Sequence, residues 1–169
     1  EKVFGADNSE VAVSLNNIAS IYHDQGRYAE ALKLYQRSHE IKERLSGQYH
    51  SDVALSLFNI ASIYSDQGRY AEALKLYQRA LGIYSEVLGP DHPIVAMGLN
   101  NVALVYSAQG RFAEALELYQ RSLAINERTL GFDHPDLAMN LSNIALIYSE
   151  QGHHTKALEW LQRTLEIRE

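Results

Sequence analysis

The sequence has no cysteine, three prolines, one tryptophan and two methionines among 169 residues. Without cysteine there is no disulfide framework and no thiolate metal site. The absence fits a reducing compartment, so the expected setting is cytoplasmic. There is also no basic excess, the formal net charge being −6. That argues against nucleic acid and anionic membranes, whose phosphates need Lys and Arg to neutralise them. No apolar run approaches the roughly 18 residues of a membrane span, and no stretch of any length alternates as a strand does. No phosphate-binding P-loop, G-x-G-x-x-G, G-x-S-x-G or H-E-x-x-H is present. With no catalytic constellation, the chain reads as a non-enzyme without cofactor or metal.

What is present is repetition. Asp24 to Arg37 returns letter for letter at Asp66 to Arg79, with small edits at Ala108 to Arg121, and eroded at Glu150 to Arg163. A constant period of 42 residues indicates stacked units. The expected divisions are repeats at 8–49, 50–91, 92–133 and 134–169, the last one truncated, together forming one domain. Residues 1–7 read as the tail of a preceding repeat, because Gly5 aligns with Gly47, Gly89 and Gly131. The chain opens on Glu1 and both ends cut through repeats, so a longer parent array is expected.

Each repeat splits into two helical patterns. Leu57, Ile60, Ala61 and Tyr64 fall at i, i+3, i+4 and i+7, one face of a helix. After Gly68, spacings of three and four link Tyr70, Ala73, Leu74, Tyr77, Ala80 and Leu81. Gly68 and its equivalents Gly26, Gly110 and Gly152 mark the reversal, since glycine tolerates positive φ just past a helix end. Pro93 and Pro135 suit the first turn of the next helix, and the neighbouring Asp91, Asp133 or histidines its cap. Alanines recur at the series of Ala61 and Ala73, where they let paired helices approach closely. Nine of the eleven tyrosines occupy three repeat positions and are core candidates. A single hairpin cannot bury such a face, so each must stack on its neighbours.

The order Leu57, Ile60, Ala61, Tyr64, Gly68, Tyr70, Ala73, Tyr77, Ala80 resembles the tetratricopeptide repeat signature, with Leu for its Trp and Ala for its Gly. The 42-residue length and the strings S-L-N-N-I-A, Q-G-R-Y-A-E-A-L, Y-Q-R and L-G-P-D-H-P are similar to the kinesin light chain type. The resemblance implies an all-α, right-handed solenoid of antiparallel helix-turn-helix repeats whose first helices line a concave groove for partner peptides. Carried over by position, the groove presents Asn17, Asn59, Asn101 and Asn143. Beside them lie Asn16, Phe58, Asn100 and Ser142. A third row is Val13, Leu55, Met97 and Met139, and a fourth Ser20, Ser62, Leu104 and Leu146. An amide donates and accepts, so such a ladder suits an extended peptide backbone. Methionine surfaces adapt to varied shapes. None of these positions is basic, unlike the family's carboxylate-clamping branch.

Several features carry two readings. The Asn ladder either lines a groove or bridges neighbouring helices. Phe58 is either an exposed anchor or packs on a neighbouring helix. Arg37, Arg79, Arg121 and Arg163 pair with adjacent repeats or face a ligand. His50, His92 and His134 recur too far apart to share a metal ion, which leaves them a capping role. Trp160 reads as an aromatic stranded near the cut end. The sequon Asn140-Leu141-Ser142 falls inside a helix. The expected function is recognition of an extended or short helical segment of a protein partner, of the cargo or adaptor kind. The alternative is self-association through open ends, or intramolecular regulation, within a larger signalling protein.

Overall fold

A computed structural model describes residues 8–168. The expected tail at 1–7 lies outside the described residues. Eight helices run α1 (Ser9–Asp24), α2 (Tyr28–Ser46), α3 (Ser51–Asp66), α4 (Tyr70–Leu88), α5 (Pro93–Ala108), α6 (Phe112–Leu130), α7 (Leu137–Glu150) and α8 (His154–Arg168). No strand occurs among the described residues. The architecture is thus all-α, built of paired helices. The chain divides into two units, Glu1–Val87 and Leu88–Glu169.

The turn inside each pair follows from its glycine. Gly68 has φ +72°, a left-handed conformation that a Cβ disfavours. It lets Gly68 N–H reach Ser65 O at 2.9 Å and Arg69 N–H reach Tyr64 O at 2.8 Å. These two bonds satisfy carbonyls that the helix end would otherwise orphan. The same bonds form at Gly26, Gly110 and Gly152. Arg69 then opens α4, its carbonyl accepting from Ala73 N–H.

The side chain of that arginine closes the turn. Arg27, Arg69 and Arg111 lie 4.1–4.2 Å over the rings of Tyr22, Tyr64 and Tyr106. Each also reaches a glutamate three residues on: Glu30, Glu72 or Glu114. Those glutamates have their acidity raised by that pairing. The fourth turn differs. His153 stands in place of the arginine, and Lys156 lies over Tyr148 instead.

Histidines close the other connections. His50, His92 and His134 Nδ1 accept from the backbone N–H two residues on, each at 3.2 Å. His50 and His92 thereby cap α3 and α5 as expected, whereas the His134 bond lies within the turn before α7 and caps no helix. Pro93 begins α5 as expected, but Pro135 does not begin a helix. It lies in the turn before α7, which starts two residues later than the α5 register and has 14 residues against 16. Asp136 at the α7 N-cap makes no side-chain capping bond.

Within a pair, alanine sets the approach. Ala19 and Ala31, Ala103 and Ala115, and Ala145 and Ala157 are all buried on facing helices. In the first unit they join Tyr35, Ile60 and Ile63, so that α3 closes over α1 and α2. In the second, α7 contributes Leu137, Leu141, Ile144 and Ile147 to the core of α5 and α6. Trp160 packs against that core and is not stranded. Arg79 reaches Glu43 at 2.7 Å and Arg163 reaches Glu127 at 2.6 Å, pairing successive second helices within each unit.

Each unit also buries polar groups. In the second, Asn100 Nδ2 donates to Asn140 Oδ1 at 2.8 Å, Asn140 Nδ2 to Ser122 Oγ at 2.9 Å, and Ser122 Oγ to Ala96 O at 2.7 Å. Asn140 is fully buried, so its sequon is closed to modification in the fold. Asn100 Oδ1 is buried without a partner. Replacing Asn100 alone by Leu orphans Asn140 Oδ1 and is expected to destabilise by about 1–3 kcal/mol. The double change Asn100→Leu/Asn140→Leu should cost clearly less than the sum of the single changes. A double-mutant cycle by urea unfolding checks this.

Candidate functional site

On the first helix of each pair, positions spaced by four and then three fall on one face. On α5 these are Met97, Asn101 and Leu104; on α7 they are Met139, Asn143 and Leu146. The methionines and leucines are 47–57% exposed, while Asn101 and Asn143 are half-buried. Neither amide makes a side-chain hydrogen bond within the described residues. Two matching apolar–amide–apolar rows are thus displayed in the second unit. Asn143, Leu146 and Ser142 also line a cleft of about 550 Å³, with Ala157, Leu158 and Leu161 of α8 on its other wall.

The first unit carries the same positions with different chemistry. Val13 and Leu55 are exposed, but Ser20 and Ser62 stand where the second unit has leucine. Ser62 Oγ donates to Asn59 O at 2.9 Å. Burial raises the Tyr35 pKa, and the nearby Ser20 opposes that shift. Val13, Asn16, Asn17 and Leu55 come together around a cleft of about 300 Å³. Asn17 is exposed, and its amide makes no side-chain hydrogen bond among the described residues. Asn59 spends its Nδ2 on Asn16 Oδ1 at 2.8 Å, so this pair bridges α1 and α3.

Two expected groove residues lie in the interior. Phe58 is 5% exposed, with its ring centroid 5.1 Å from Tyr77 and 5.7 Å from Tyr84. Asn100 is 3% exposed and bonded to Asn140. Both occupy the series that begins at Asn16, one step round the helix from the series of Asn17, Asn59, Asn101 and Asn143. That step carries the side chain toward the next helix, where an aromatic stacks and an amide needs a partner.

Sequence reasoning missed Lys42. It comes from α2 into the first unit's cleft, beside Asp52. Burial lowers its pKa, and the nearby Asp52 opposes that shift. The first helices themselves carry no basic residue at these positions. The usable signal was the series itself, since Lys42 stands where Tyr84 and Asn126 stand in later repeats.

A second missed group is His39 on α2. Its Nδ1 lies 2.7 Å from Ser56 Oγ, which itself donates to Val53 O. Nε2 is 3.9 Å from Glu43. Burial lowers the His39 pKa, against a smaller opposing pull from Glu43. The folded state therefore resists the proton that the unfolded chain accepts near pH 6.5. Stability is expected to fall as pH drops below that value. His39→Leu, the residue at 81, 123 and 165, should flatten this acid limb in thermal melts across pH.

Comparison with known proteins bears on the whole chain. The tetratricopeptide repeat family profile matches residues 10–84, 52–128 and 95–169. Among curated proteins no relative matches. The crystal structure of BtubC (BKLC) from P. vanneervenii is similar over 95% of this chain and 65% of that one, with TM-score 0.84 and 23% identity. A Podosopora anserina putative kinesin light chain with nearly identical TPR-like repeats matches over 99% of this chain and 79% of that one, with TM-score 0.78 and 25% identity. Aspartyl phosphate phosphatase F from Bacillus subtilis matches over 98% of this chain and 42% of that one, with TM-score 0.85 and 18% identity.

Proposed function

The chain belongs to the tetratricopeptide repeat family, and from that premise we propose that it is a non-catalytic module that holds a peptide segment of a protein partner. The supporting observation is the pair of rows Met97–Asn101–Leu104 and Met139–Asn143–Leu146. Apolar side chains about half exposed flank amides that make no side-chain hydrogen bond among the described residues. Exposed apolar groups in a patch mark interaction surfaces. Amides between them can pair with a backbone without reading its sequence. Protein–protein interaction is also what the family generally does.

Selectivity in this reading comes from the contrast between units. The second offers methionine and leucine to apolar anchors of the partner. The first offers Val13, Asn17 and Leu55, with Lys42 and Asp52 close by. Phe58 and Asn100 have no contact role here. The net charge of −6 favours a protein partner over nucleic acid. None of the described helices is long and apolar enough to cross a membrane, and the reading keeps the cytoplasmic setting. Cargo or adaptor recognition of the kinesin light chain kind is the form of binding this reading favours.

The test begins with selection of peptides from a random display library on the immobilised chain. Affinity is then measured by fluorescence anisotropy. Met97→Asp/Met139→Asp is expected to weaken binding by about tenfold or more, the scale of losing an interface hot spot. Asn101→Ala/Asn143→Ala should weaken it by a smaller factor. Undiminished affinity in both variants, with helicity intact by circular dichroism, would sink the reading.

A further inference from the structure

The chain holds two methionines, Met97 and Met139, and no cysteine. Both methionines fall at one repeat position, four residues before Asn101 and Asn143. Their side chains are 47% and 57% exposed. Val13 and Leu55 hold that position in the first unit and are exposed as well. Exposure is therefore a property of the repeat position, whichever helix carries it. The one tryptophan, another oxidisable side chain, packs against the second unit's core. An oxygen-atom donor meeting this molecule finds its two sulfur atoms open to solvent, one in each row that the second unit displays.

We propose that Met97 and Met139 form a paired oxidation site through which a hydroperoxide controls peptide binding by the second unit. This regulation rests on the peptide-binding reading above. The chemistry is a two-electron oxygen transfer. The thioether sulfur attacks one oxygen of hydrogen peroxide, and an S–O bond forms as the O–O bond breaks. The proton on the transferred oxygen passes to the departing hydroxide. Sulfur is oxidised, peroxide is reduced, and the products are a sulfoxide and water. Susceptibility follows exposure, and a sulfoxide on the surface is equally open to the reductases that reverse the step.

Position decides what the added oxygen does. Oxidation of a core methionine disrupts packing. Neither of these methionines is buried, so the cost falls on binding and leaves the fold intact. Two effects act together. The sulfoxide is polar, and an apolar side chain of a partner seated against it buries an S=O group without a donor. The oxygen also has a donor within reach. Met97 and Asn101, like Met139 and Asn143, are four apart on one helix face, where side chains meet. Neither amide makes a side-chain hydrogen bond among the described residues. An amide N–H given to the sulfoxide is withdrawn from the peptide backbone. Val13 and Leu55 carry no sulfur, so oxidation silences the second unit's rows and leaves the first unit's unchanged.

The test treats the folded chain with hydrogen peroxide. Tryptic peptides, which separate the two methionines, are expected to gain one oxygen each at a rate close to that of N-acetylmethionine amide. Circular dichroism should not change. The binding probe is a library-selected peptide free of methionine, cysteine and tryptophan, read by fluorescence anisotropy. Its affinity should weaken by about tenfold on oxidation and return after treatment with methionine sulfoxide reductases for both epimers. Met97→Leu/Met139→Leu, whatever its starting affinity, should keep that affinity through peroxide. Slow oxidation of either methionine, lost helicity, or a peroxide response that persists in the leucine variant would each overturn the proposal. Equal affinity before and after full oxidation sinks this inference alone. Failure to select any peptide on the untreated chain sinks the binding reading and this one with it.

Discussion

Everything in this fold depends on how closely two helices can approach at a pair of alanines. Ala19 against Ala31, or Ala103 against Ala115, leaves no side chain thick enough to hold the backbones apart. The apolar residues around them are then forced into one layer, and that layer has a second side. On it Ile60 and Ile63, or Ile144 and Ile147, close the core from the next helix. A pair of helices alone leaves that second side wet. Stability therefore comes from nearest neighbours, as in any quasi-one-dimensional protein.

The turn and the joint divide the work. Glycine in the left-handed region reverses the chain, and arginine over tyrosine holds the reversal from outside. The joint between pairs is carried by apolar fit, with arginine–glutamate pairs along the second helices. The exposed Arg79–Glu43 pair contributes little to stability, and such pairs serve better to describe register than to explain folding. Once the scaffold is fixed in this way, the face of each first helix is free to vary. Asparagine recurs in both units, and the first flanks it with valine, leucine and serine, the second with methionine and leucine.

Much of the fold was readable because a 42-residue period multiplies each weak signal. One glycine after a tyrosine says little, whereas four at equal spacing define a turn. The alanine and tyrosine series were legible for the same reason. Pro135 was not, because α7 starts late and local turn geometry overrides the period. The candidate face was legible only in part. Position along the helix placed Met97, Met139, Leu104 and Asn143 on the surface, yet the adjacent series turns inward. Phe58 and Asn100 follow that series, and whether a residue one step round is wet or dry depends on the helix that packs there. Lys42 and His39 were invisible for a related reason. His39 is a single departure from a leucine series and Lys42 belongs to a series, with Tyr84, Asn126 and Arg168, that shares no residue; a search for periodicity discards what fails to recur.

Near-identical repeats face a hazard of their own: an apolar helix that fits one neighbour fits the others almost as well. The buried amides bear on this. Asn59 is matched to Asn16 and His39 to Ser56, whereas Asn100 is matched to Asn140 and Asn140 to Ser122. A helix docked on the wrong neighbour during folding would lose these matches, and at the buried Asn100 and Asn140 it would leave an amide dry and unbonded, a cost apolar contacts do not repay. The polar groups thus act as proofreading marks. They let a chain of interchangeable parts tell its repeats apart while it assembles.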